Sequence, residues 1–90
     1  MNISRNTWIV SGKVMNTKYK KEGVWATIHG DVSVPGVYKS DFSKIDVWIN
    51  QSVIDSAPKN VNIHKEIKAQ GKLIFKNNEC WFKVEYLMTN

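Results

Sequence analysis

The sequence predicts an all-β fold, a five-stranded Greek-key barrel, on three observations. Five short runs alternate apolar and polar residues with a period of two, and turn-forming residues punctuate them, with one longer irregular connection between the third and fourth runs. Glycines stand inside the first and fourth runs, at Gly12 and Gly71, where a barrel needs its strands to coil sharply. Ninety residues give room for one domain spanning 1–90, and 42% hydrophobic against 23% charged residues is the balance of a chain that folds.

The first run, Thr7 to Met15, sets Val10, Gly12 and Val14 on one face and Ser11 and Lys13 on the other. A hairpin loop is expected from Asn16 to Gly23. The second run, Val24 to Ser33, turns Val24, Ala26 and Ile28 one way and Trp25, Thr27, His29 and Asp31 the other, and Pro35-Gly36 ends it. A polar stretch with Tyr38 and Phe42 leads to the third run, Lys44 to Asn50, whose Ile45, Val47 and Ile49 face the core. Residues 51–62 lack a period of two, and Val53, Ile54 and Ala57 suit a short helical turn or loop across one end of the barrel. The fourth run, Ile67 to Phe75, sets Ile67, Ala69, Gly71 and Leu73 against Lys68, Gln70, Lys72 and Ile74. Lys76-Asn77-Asn78-Glu79 is a tight-turn sequence into the fifth run, Cys80 to Leu87, in which Tyr86 shares the parity of Phe82 and Val84. This plan matches the OB-fold, though an SH3-like barrel or an open sheet shares much of it.

The net charge of +5 attracts polyanions, and the excess sits in the first forty residues, where Arg5, Lys13, Lys18, Lys20, Lys21 and Lys39 face only Glu22 and Asp31. One cysteine, Cys80, cannot form an intrachain disulfide, and a reducing compartment fits. The polar start, Met1 to Asn6, and the short apolar run after it have the form of neither a signal peptide nor a membrane span, so a soluble cytoplasmic protein is expected. His29 and His64 lack a second ligand at metal spacing, and no cofactor is implied. Neither paired carboxylates, a nucleophile elbow, a Gly-rich phosphate loop nor a Cys-His pair is present, which argues against an enzyme.

The informative residues are tryptophans on the wrong side of their strands. Trp48 lies between inward Val47 and Ile49, and Trp25 between inward Val24 and Ala26, so both rings turn outward onto one face, a stacking platform for bases. Lys13, Lys44, Lys68 and Lys72 share the outward parity, while Lys18, Lys20 and Lys21 line the first hairpin beside Tyr19, where they can neutralise phosphates. Trp81 is either outward or buried near the last turn, and Trp8 is a core or subunit-contact residue. Flat rings between positive walls suit single-stranded nucleic acid. A docking surface for a replication or recombination protein is the alternative, and nothing in the sequence selects DNA over RNA.

Val10-Ser11-Gly12-Lys13-Val14, then Lys18-Tyr19 with Gly23-Val24-Trp25-Ala26, then Ile67-Lys68-Ala69-Gln70-Gly71-Lys72-Leu73 resemble segments of the single-stranded-DNA-binding (SSB) protein family, over roughly Asn6 to Leu87. The resemblance implies an OB-fold that binds single-stranded DNA without sequence specificity, in replication, recombination or repair. It points to Trp25 and Trp48 as stacking residues, with Thr27, His29 and Asn50 as polar neighbours, and to a homo-oligomer, dimer or tetramer, with Trp8 and Ile9 at a subunit contact. Asn50 stands where the family carries an aromatic residue, and the fourth-to-fifth hairpin lacks the family's tryptophan, for which Trp81 is the candidate substitute. The family's acidic tail has no counterpart before Asn90, so a short primosomal (PriB-like), phage or mobile-element form is expected.

Overall fold

The structure, a computed structural model, describes the backbone of residues 7–34 and 38–88 and the side chains of 7–33, 44–74, 77–78 and 81–88. Five strands and one helix follow in the order β1 (Thr7–Lys20), β2 (Gly23–Val34), β3 (Tyr38–Asn50), α1 (Gln51–Asp55), β4 (Glu66–Lys76) and β5 (Glu79–Met88). They close a barrel in the order β1-β2-β3-β5-β4, all antiparallel except for a parallel seam in which Val47, Trp48 and Ile49 pair with Phe82, Lys83 and Val84. Closure with β3 against β5 and β1 against β4 is OB-fold topology, with the β3-β5 seam confined to three residue pairs.

The period-two pattern builds the interior. Val10, Val24, Ala26, Ile28, Val47 and Ile49 are fully buried, and Ile67, Ala69, Phe82 and Val84 complete the core from β4 and β5. No charged or polar side chain among the described residues is buried with them. Trp8 packs against this cluster from the inner face of β1, opposite Gly71. Gly12 and Gly30 are direct cross-strand partners, and a Cβ on either would run into the backbone of the other strand. The pair lets β1 and β2 coil together where a side chain would force them apart. Gly71 sits at the register shift between β4 and β5.

Two bulges change which side chains face out. Met15 is an extra residue on β1, since Val14 pairs with Ile28 and Asn16 with Thr27. A bulge reverses the inside-outside alternation beyond it. The segment expected to be a loop from Asn16 therefore continues as strand to Lys20, with Asn16, Lys18 and Lys20 outward, and the turn is only Lys21 and Glu22. Glu85 is the extra residue on β5, because Gln70 pairs with Tyr86 and Gly71 with Val84. Tyr86, inward by simple parity, is thus 61% exposed and Leu87 takes its place in the core.

The remaining connections follow their sequence signals. Asn77 and Asn78 have φ of 52° and 62°, the two positive values of the two-residue hairpin turn that asparagine tolerates best after glycine. Residues after β3 form α1, and Val53, Ile54, Ala57, Val61 and Ile63 pack onto the core. The third strand begins at Tyr38, six residues before the start expected from its alternation. Pro35-Gly36 and the side chains of Tyr38, Phe42 and Cys80 lie outside the described residues.

Candidate nucleic-acid interface

The outer face of β1-β2-β3 is organised in cross-strand rows set by the register. Lys18 pairs with Trp25, Trp25 with Trp48, and Trp48 with Lys83 across the parallel seam, so two indoles stand between two lysines along one line over four strands. Lys72 extends the line, as the partner of Lys83 on β4. The bulge at Met15 is what brings Lys18 to this face. Without it the residue would point inward.

The tryptophans are packed on one another and do not form a flat platform. Trp25 and Trp48 have ring centroids 5.3 Å apart at 55°, and Trp81, from the far side of β3, meets Trp25 edge-on at 4.8 Å and 77°. Trp48 and Trp81 lie 6.4 Å apart. These are the tilted and edge-to-face arrangements that the aromatic quadrupole favours. Trp81 is therefore outward and half-buried by its partners. The three rings wall a cleft of about 440 Å³, completed by Lys20, Glu22, Asn50, Ile74 and Lys83. Its lining mixes aromatic rings with charged and amide side chains.

Local sequence holds this geometry in place. Gly23 pairs with Asn50, and a Cβ there would lie 3.0 Å from Trp48 Cζ2, so the indole rests over bare backbone. Trp48 Nε1 donates to Asn50 Oδ1 at 2.6 Å, which fixes the ring's polar edge. The backbone N–H of Gln51 donates to the Glu22 carbonyl at 2.9 Å and ties the β1-β2 turn to the end of β3.

Two further rows lie along the same face. Asn16, Thr27 and Asp46 form the next, where the Thr27 hydroxyl donates to Asp46 Oδ1 at 2.6 Å. Lys13, His29 and Lys44 form the one beyond, four residues along β2 from Trp25, or about 13 Å at strand rise. Other sequence-nominated residues stand elsewhere. Lys68 pairs with Ser11 and Met88, away from the tryptophan line, and Lys21 sits in the turn. Tyr19, on the opposite face of β1 from Lys18, shares a 2.6 Å hydrogen bond with His64 Nε2 in the connection before β4.

Lys83, Glu22 and Ile74 are cleft residues that sequence reasoning missed. For Lys83 the signal was present, since Phe82 and Val84 inward require it to face out. Among the described residues no group of three His, Cys, Asp or Glu side chains could hold a metal ion, and no helix is long and apolar enough to cross a membrane. Comparison with known proteins gives no match, whether to a family model, a curated protein or a solved structure.

Proposed function

We propose that the protein binds single-stranded DNA without strong sequence specificity, through the tryptophan cleft and the lysines in line with it, in replication, recombination or repair. The observation that carries the reading is the row Lys18-Trp25-Trp48-Lys83, in which two aromatic rings are flanked by a cation at each end across the barrel. A single strand needs both, since unstacked bases seek π-faces and phosphates seek cations, and each stacked base is worth about 1 to 3 kcal/mol. Lys72 extends the positive charge along the same line, and Lys13 and Lys44 offer more of it about 13 Å away along the strands, where they can neutralise phosphates of a strand that leaves the cleft that way.

Duplex DNA fits poorly, because its bases are already stacked and cannot enter a cleft walled by indoles. Competition against a labelled oligo-dT tests the proposal: unlabelled single strands displace it and duplex of the same length does so far less well. Equal displacement by duplex would reduce the site to a non-specific basic patch. RNA of equal length is the third competitor, and displacement by RNA at lower concentration than DNA would reassign the polymer.

A further inference from the structure

Positive charge offers a bound strand two ways out of the cleft. One runs across the barrel from Trp48 to Lys83 and on to Lys72, direct cross-strand partners with no acid among them. The other runs along β2 and β3 to Lys13 and Lys44, and it first crosses the row Asn16-Thr27-Asp46. Asp46 is exposed, and the 2.6 Å bond from the Thr27 hydroxyl draws its carboxylate over the middle of the face. Among the described residues it forms no ion pair, and its row partners Asn16 and Thr27 bring no positive charge to offset it.

The position of that charge separates the two ways. Asp46 stands two residues from Trp48 and two from Lys44, about 7 Å from each at strand rise. A phosphate travelling along the strands has to cross within that distance of the carboxylate. Two like charges about 7 Å apart at a wet surface repel enough to change an affinity about three- to tenfold, and salt screens the effect. Glu22 brings a second carboxylate to the other flank of the cleft, but there Lys20 and Lys21 stand beside it in sequence. Asp46 has no such company.

We propose that Asp46 is a positioning residue for the bound strand, a fixed negative charge that holds the phosphate backbone to the line Lys18-Trp25-Trp48-Lys83-Lys72 in preference to the way along the strands to Lys13 and Lys44. The assignment rests on the single-strand reading of the cleft, and one experiment separates the two. Labelled oligo-dT of about 16 nucleotides is titrated into wild type and variants at salt concentrations from about 50 mM to about 200 mM. Asp46→Asn keeps the size of the side chain and an acceptor for Thr27, and it is expected to bind about three- to tenfold more tightly at the lowest salt, with a smaller gain at the highest. Asp31→Asn makes the same change of net charge about 20 Å from Trp25 along β2, beyond a screening length, and is expected to bind as wild type does. Lys72→Ala is expected to lower the slope of log affinity against log salt by about 0.7, and Lys44→Ala to lower it less. Unchanged affinity in Asp46→Asn, or an equal gain in Asp31→Asn, overturns the assignment. So does a slope loss from Lys44→Ala that equals or exceeds the loss from Lys72→Ala, which keeps the test decisive should Asp46→Asn fail to fold. Failure of the wild type to bind oligo-dT overturns the single-strand reading itself.

Discussion

The indole of Trp48 lies over Gly23, the residue across from Asn50, with Cζ2 at 3.0 Å from where a Cβ would stand. The same Cβ would press on the Ile49 carbonyl and the Asn50 Cα, so neither ring nor backbone has room to yield alone. Replacing a strand glycine with alanine ordinarily stabilises by about 0.4 to 1 kcal/mol through the unfolded state. Gly23→Ala is expected to do the reverse and to destabilise by about 1 to 3 kcal/mol, the cost of overpacking. Urea denaturation reads the sign. A stabilised variant would mean that the ring is not seated on Gly23.

Trp48→Ala and Trp81→Ala each remove one wall of the cleft, and each is expected to weaken oligo-dT binding by about 1 to 3 kcal/mol. Both rings are only half-buried on the outside of the barrel, so the strand content seen by circular dichroism should be retained. Anisotropy titration gives the affinity. Wild-type affinity in both variants would show that the strand passes elsewhere.

The lysines separate by position. Lys83 adjoins Trp48 and lines the cleft, whereas Lys68 faces out between Ser11 and Met88. Each phosphate contact contributes about 0.7 to the slope of log affinity against log salt for a single strand. Lys83→Ala is expected to lower the slope by about that amount and Lys68→Ala to leave it unchanged. Titrations at several salt concentrations check both, and equal losses would point to charge without a defined path.

Asn77 and Asn78 hold positive φ in the β4-β5 turn. Asn78→Gly relieves the left-handed strain at the second position and is expected to raise stability by about 0.5 to 1 kcal/mol, read by thermal unfolding. A decrease would indicate that the Asn78 side chain holds the turn.

Much of the barrel was legible because its strands obey a strict period of two. Val47-Trp48-Ile49 left no choice but to bury the outer two and expose the tryptophan, and Val24-Trp25-Ala26 did the same on β2. The bulges were not legible. Nothing in Met15 or Glu85 announces an extra residue, yet each reverses the alternation beyond it, which is why Lys18 joins the tryptophan line and Tyr86 leaves the core. The tilt of the indoles and the reach of Trp81 to Trp25 past β3 were likewise beyond sequence. Asn50 could be nominated as a polar neighbour, but its amide orientation depends on a bond to Trp48 that only the folded strand end creates.

Whether the Trp25-Trp48-Trp81 cleft receives bases is read by intrinsic tryptophan fluorescence. Oligo-dT of about 16 nucleotides, the upper end of what one OB-fold covers, is titrated into the protein at about 50 mM and about 200 mM salt. Saturable quenching at low salt and a marked loss of affinity at the higher concentration are expected, because bases meet the indoles while phosphates meet the lysines. Absence of quenching at low salt would contradict this.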